Sequence, residues 1–246
     1  MAGVSIGQGG RARGGWSFFA TMSLVIALII TAGFGPSYAA SLAPPGLPIW
    51  VHLHGAVMVC WIALFAFQAA LVRWRSYRLH RTLGFASIAL VVVMVPLGIA
   101  TDLLAIRRGA TPPFFTPAMM FSSDLTDMLL FAGLFGWAVA LRRRSDWHKR
   151  LMLCATVLLT WPALGRLAPL HAFGLAMIVP LSLALLVALA LVGPLHDFYR
   201  RRRIHPAYGW GVGLIVAVQP LHVILAASAP VTAVVAAVTP HPGIAK

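Results

Sequence analysis

The sequence predicts an all-α bundle of seven transmembrane helices, with the N-terminus cytoplasmic and the C-terminus outside. Three observations carry this expectation. Hydrophobic residues make up 60% of the 246-residue chain and charged residues only 10%, whereas a soluble domain carries about 25% charged residues. The apolar residues gather in seven runs, each close to the roughly 20 helical residues needed to cross a hydrocarbon core. The charges fall in short clusters between those runs.

The runs lie at 17–35, 48–72, 82–105, 118–141, 150–168, 172–195 and 208–229. An irregular backbone in lipid would leave its amide groups unpaired, so each run is expected as a helix. The chain then divides into a cytoplasmic N-terminal segment, 1–16, a transmembrane domain, 17–229, and an external tail, 230–246. The first run follows Arg11 and Arg13 and ends at Pro36-Ser-Tyr-Ala-Ala40, a pattern that also fits a signal peptide with a small-residue cleavage site. Its apolar stretch is longer than a usual signal, which favours a retained span. The tail after Pro230 is too weakly patterned to predict an element.

Basic residues set the orientation. Arg11, Arg13, Arg73, Arg75, Arg78, Arg81, Arg142, Arg143, Arg144, Lys149, Arg150, Arg200, Arg201, Arg202 and Arg203 fall on one side of the threaded chain. Arg107, Arg108, Arg166 and Lys246 fall on the other. The rich side is cytoplasmic by the positive-inside bias. The net charge of +14 therefore sits in membrane-flanking turns. It points to anionic lipid headgroups as partners and away from nucleic acid.

Aromatic residues agree with this threading. Trp16, Trp50, Trp74, Trp147 and Trp210 fall at expected interfaces, while Trp61 and Trp161 lie within spans as packing residues. Cys60 and Cys154 lie in apolar runs without a CxxC partner and read as small core residues. Pro96, Pro162, Pro180 and Pro220 are expected to kink their helices. The loop from Arg107 to Pro117 is stiffened by prolines and offers Phe114 and Phe115 to the interface.

Threading also gives each polar residue a depth. His52 and His54 open the second run, Ser123, Asp124 and Asp127 lie in the outer half of the fourth, and His222 lies in the outer half of the seventh. Asp102 and Arg166 end runs on the same side, and Gln219 is near mid-membrane. Asp124 and Asp127 share a helix face by their spacing, as do Gln219 and His222. His52 and His54 are two residues apart, so only one is expected to face inward. His54 is the deeper and precedes Gly55, where another helix could approach. It is expected to point towards Asp124, Asp127 and His222.

Charges at such depth face a bundle interior and pair with something. Asp–His and Asp–Arg pairs that hold helices together are one reading. A transition metal held by His52, His54, Asp124, Asp127 and His222 is a second, because imidazole and carboxylate suit zinc, iron or copper. Haem b with His54 and His222 as axial ligands is a third. A proton or solute path is a fourth. On the other side, His80, His148 and His205 each stand where a basic turn re-enters the membrane, placed to meet lipid phosphate or cap backbone groups. A second haem between two of them is an alternative. Asp197 is expected to neutralise one of its adjacent arginines.

The segments His52-Leu-His-Gly55, Leu79-His-Arg-Thr-Leu-Gly84, Asp127-Met-Leu-Leu-Phe131, His148-Lys-Arg-Leu-Met152 and Ile204-His-Pro-Ala207 with Gln68, Arg166 and Gln219-Pro220 resemble a family of bacterial integral membrane proteins of unknown function. That resemblance runs along nearly the whole chain and implies a seven-helix architecture. Histidines at helix ends give a looser likeness to haem-bearing cytochrome b-type membrane proteins. The function expected from these readings is an integral protein of the cell membrane whose outer-leaflet His/Asp site binds haem or a metal for membrane redox chemistry. A proton or small-solute transporter and a non-catalytic subunit of a membrane complex are the alternatives.

Overall fold

The computed structural model describes residues 17–40 and 46–239. The expected N-terminal segment, with Arg11, Arg13 and Trp16, lies outside the described residues, as does the end of the tail with Lys246. The helices run in the order α1 (Phe18–Ala40), α2 (Ile49–Arg73), α3 (Tyr77–Arg107), α4 (Pro117–Ala140), α5 (Ser145–Leu158), α6 (Trp161–Leu164), α7 (Ala168–His171), α8 (Leu175–Arg201), α9 (Pro206–Ala226) and α10 (Ala229–Val238). No strand occurs among the described residues. Six helices, α1, α2, α3, α4, α8 and α9, are long and apolar enough to cross a bilayer. They make this a multi-pass helical membrane protein. Apolar side chains such as Leu28, Val59, Val92 and Ile224 stand exposed around the bundle, where lipid would cover them.

Local chemistry sets the helix starts. Thr116 caps α4, its hydroxyl accepting from the Met119 amide at 3.1 Å, with Pro117 in the first turn. His205 caps α9 in the same manner: its Nδ1 accepts from the Ala207 amide at 3.1 Å, ahead of Pro206. α8 begins after Gly174, whose φ of +85° a side chain would strain. It runs through Pro180 and Pro194 to Arg201, past the expected end at 195. α3 likewise starts five residues before the expected position, so His80 and Arg81 are helical. The tail, without an expected element, contributes α10, which packs on α3, α4 and α9.

The fifth run departs from expectation. One helix was expected over 150–168, but the chain forms α5, a turn at Leu159 and Thr160, the short α6, and then α7. Pro162 explains the break. It has no amide hydrogen to give to the carbonyl of Leu158, four residues earlier, and its ring crowds that carbonyl. α5 ends at Leu158. The segment still carries the chain across the bundle, because its start meets the end of α8 and its far end lies near Asp124.

α5 is the central helix. Arg150, Leu151 and every residue from Leu153 to Leu158 are buried, and α4, α9, α8 and α1 surround it. Close approach relies on glycines. A Cβ on Gly211 of α9 would meet Cys154 Sγ at 2.6 Å, and one on Gly33 of α1 would meet the backbone of Ala163. Gly55, where sequence suggests a close helix contact, has open space instead. Cys154 is buried as expected, but Cys60 lies on the exposed face of α2 and is not a core residue. Trp61 packs edge-on against Phe131 and Phe135.

Where α5 starts, Arg150 is 1% exposed and forms a two-pronged bond with Asp197 of α8. Nε donates to Oδ2 and Nη2 to Oδ1, both at 2.8 Å. Its Nη1 donates to the Asp146 carbonyl and carboxylate. Asp197 therefore neutralises a distant arginine and not its neighbours in sequence, and Arg150 is withdrawn from the lipid-facing basic set. Hydrogen bonds from Lys149 and Arg150 pull the Asp146 carboxyl down to about 2, so it stays ionised at ordinary pH.

Gly33→Ala should lower stability by about 1–3 kcal/mol, because backbone at Ala163 cannot step aside. Gly35→Ala, two residues on in the same helix, meets nothing closer than Thr31 Cγ2 at 3.9 Å and should shift stability by less than about 1 kcal/mol. Thermal unfolding of the two purified variants in detergent checks the contrast.

Candidate functional site

At the end of the bundle opposite the basic turns, α3, α4, α9 and the turn after α6 bring charged groups together. α4 supplies two carboxylates on one face, since Asp124 and Asp127 are three residues apart. α9 supplies His222, whose Nε2 lies 3.2 Å from Asp127 Oδ1. Both side chains of this pair are nearly sealed from solvent, at 3% and 9% exposure. Ser122 fixes the register of the two helices, its hydroxyl donating to the His222 carbonyl at 2.8 Å. Gln219, one turn before His222, bonds back to the Ile215 carbonyl of its own helix.

Asp102 on α3 is a close neighbour of Asp124 on α4. Both Asp102 oxygens are buried, and no donor reaches either of them among the described residues. Arg166, in the turn after α6, is the positive neighbour of Asp124. It is held by a bond from Nη1 to the Pro162 carbonyl at 2.8 Å and by the ring of Phe34, 4.7 Å away. The break in the fifth run thus has a chemical product: it frees the Pro162 carbonyl and turns Arg166 inward.

A cavity of about 60 Å³ adjoins this cluster. Asp124, Arg166 and Ser182 line it on the polar side and Trp161, Phe114 and Phe115 on the apolar side. That volume has room for a few water molecules. Phe114 and Phe115, partly exposed at this end of the bundle, also wall the cavity.

The residues expected at this site divide into two groups. Asp124, Asp127 and His222 come together. His52 turns towards α1, where its Nδ1 and the Tyr38 hydroxyl are 2.7 Å apart. His54 is partly buried with Nδ1 unpartnered, and the charged group beside it is Arg166. No hydrogen bond joins its ring to Asp124, Asp127 or His222 among the described residues. Also among them, no three His, Cys, Asp or Glu side chains gather closely enough to enclose a metal ion. Sequence reasoning placed Asp102 and Arg166 on this side without giving either a role; their shared depth with Asp124 was the available signal. Ser122, Ser182 and Tyr38 carried no signal.

No protein-family model, curated protein or solved structure matches the chain.

His222→Ala should cost about 1–3 kcal/mol, because it leaves the buried Asp127 carboxylate without its partner. Asp127→Asn keeps a polar partner for the ring and should cost less. Thermal unfolding in detergent ranks the two, and an unaltered midpoint in His222→Ala would show that the pair holds nothing together.

Proposed function

We propose that the chain is a seven-crossing protein of the cell membrane whose outer-leaflet carboxyl–imidazole cluster takes up and releases protons during proton or small-solute transport. The observation that carries this reading is the pair of neighbouring carboxyl groups Asp102 and Asp124, the first with both oxygens buried and unpartnered, the second lining a water-sized cavity. Two buried carboxyl groups this close cannot both ionise cheaply, so such a pair favours holding and exchanging a proton. Asp127, one helical turn further along α4 and bonded to His222 of α9, offers the next acceptor. Arg166 stabilises Asp124 whenever it is ionised, which keeps the cost of a buried negative charge low enough for exchange.

The redox reading, with His54 and His222 holding haem b or a transition metal, draws on the unpartnered Nδ1 of His54. It has less support, because the His222 Nε2 is engaged by Asp127 and the neighbour of His54 is a cation. α5 and α6 together make the seventh crossing in this proposal. The N-terminus and the three basic turns face the cytoplasm, where exposed arginines such as Arg143 and Arg203 meet anionic headgroups for about 1 kcal/mol each.

Purified protein in liposomes that contain a pH-sensitive dye tests the transport reading. Wild-type vesicles should dissipate an imposed pH gradient, and Asp124→Asn vesicles should do so at least tenfold more slowly. A wild-type rate equal to that of protein-free vesicles would sink the proposal. Reporter fusions test the orientation: those after Arg75, Arg144 and Arg202 should report cytoplasm and those after Pro113 and at Lys246 the opposite side. A cytoplasmic signal at Pro113 would reverse it.

A further inference from the structure

A second set of unsatisfied polar groups lies at the basic end of the bundle, built from α2, α3 and α5 and independent of the outer cluster. His148 on α5 places Nδ1 2.8 Å from the Ala138 carbonyl. A carbonyl only accepts, so Nδ1 carries the hydrogen and the Nε2 lone pair remains open. His80 on α3 has its Nδ1 buried with no partner. The Gln68 carboxamide is itself orphaned, with both its nitrogen and its oxygen buried and unbonded.

The two rings stand 6.5 Å apart between centroids, at an interplanar angle of 89°. Two metal–nitrogen bonds of about 2.0–2.1 Å, with the ring radii added, span roughly 6 Å between imidazole centroids. A carbonyl that fixes the tautomer, as that of Ala138 does for His148, is the usual outer support of a metal-ligating histidine. His205, the third histidine of the basic turns, does something different, since it caps α9 and packs on Trp147. The expectation of backbone capping thus describes His205, and it describes the Nδ1 of His148, which serves the Ala138 carbonyl at the end of α4; it leaves the buried Nδ1 of His80 unexplained.

The structure assigns His80 and His148 as the two imidazole ligands of a late first-row transition-metal ion, with the Gln68 carboxamide oxygen as the available third ligand. Imidazole suits copper and zinc, and copper binds most tightly in the divalent series. The ion would give the orphaned Nδ1 of His80 and the open Nε2 of His148 a common partner, and it would tie α3 to α5 at the basic end.

Full-length protein in detergent, loaded with Cu(II) and passed over a desalting column, provides the test. About one copper per chain should be retained, with nitrogen coupling from imidazole in its electron paramagnetic resonance spectrum. His80→Ala and His148→Ala should each lower retention at least tenfold, while His171→Ala and His54→Ala, at the opposite end, should retain it. If either alanine variant fails to elute as a folded species, His80→Gln replaces it and the wild-type nitrogen coupling still decides. Copper that is not retained, that lacks nitrogen coupling, or that is lost on changing His54 in place of His80 would overturn the assignment. So would a Soret band from the isolated protein, which would put a haem where a single ion is assigned.

Discussion

The bond between Arg150 and Asp197 is the constraint from which the bundle is built. An arginine buried this deeply is tolerable only with a full partner, and a two-pronged carboxylate supplies one. Removing one member of such a pair typically costs about 3–5 kcal/mol, because it strands the other charge. The bond ties the second turn of α5 to the last turns of α8 and thereby sets the depth of the central helix. Everything that packs on α5 inherits that depth, including Cys154 against Gly211 of α9.

The outer cluster follows from the same placement. With α4 and α9 both laid against α5, the Ser122 hydroxyl reaches the His222 carbonyl, and Asp127 meets His222 one turn further along α4. The break that ends α5 brings Arg166 beside Asp124. One end of the bundle is thus held by a fixed charge pair, and the other carries the carboxyl and imidazole groups of the proposed proton site.

Much of the fold was legible because lipid allows so few backbone solutions. The six long helices were readable from run length alone, and the exposed arginines from the turns between them. The break at Pro162 was readable in principle, since proline cannot serve Leu158, but the apolar run continues through it and hides the interruption. α10 was hidden for the opposite reason: Ala, Val and Thr give its ten residues no polar face. The site was legible in its depth and not in its pairings. Asp127 and His222 are 95 residues apart and Arg150 and Asp197 are 47 apart, and nothing local announces either match. For His52, the neighbour that claims it is Tyr38, whose hydroxyl offers a closer bond than the bundle interior.

The polar start of α5 has a consequence for how the protein is made. Asp146, His148, Lys149 and Arg150 occupy the opening of a helix only 14 residues long, about 21 Å at 1.5 Å per residue. An arginine at the centre of an inserting helix costs about 2.5–3.5 kcal/mol; Arg150 lies nearer the start of its helix and has Asp146 four residues earlier as a local counter-charge. Its two-pronged partner is 47 residues further along. At about 5–20 residues per second, a ribosome needs roughly 2–9 seconds to deliver it. Through that interval Arg150 has only the local partner Asp146, and the helices already made that pack on α5, α4 and α1, are the surfaces on which it can wait for α8.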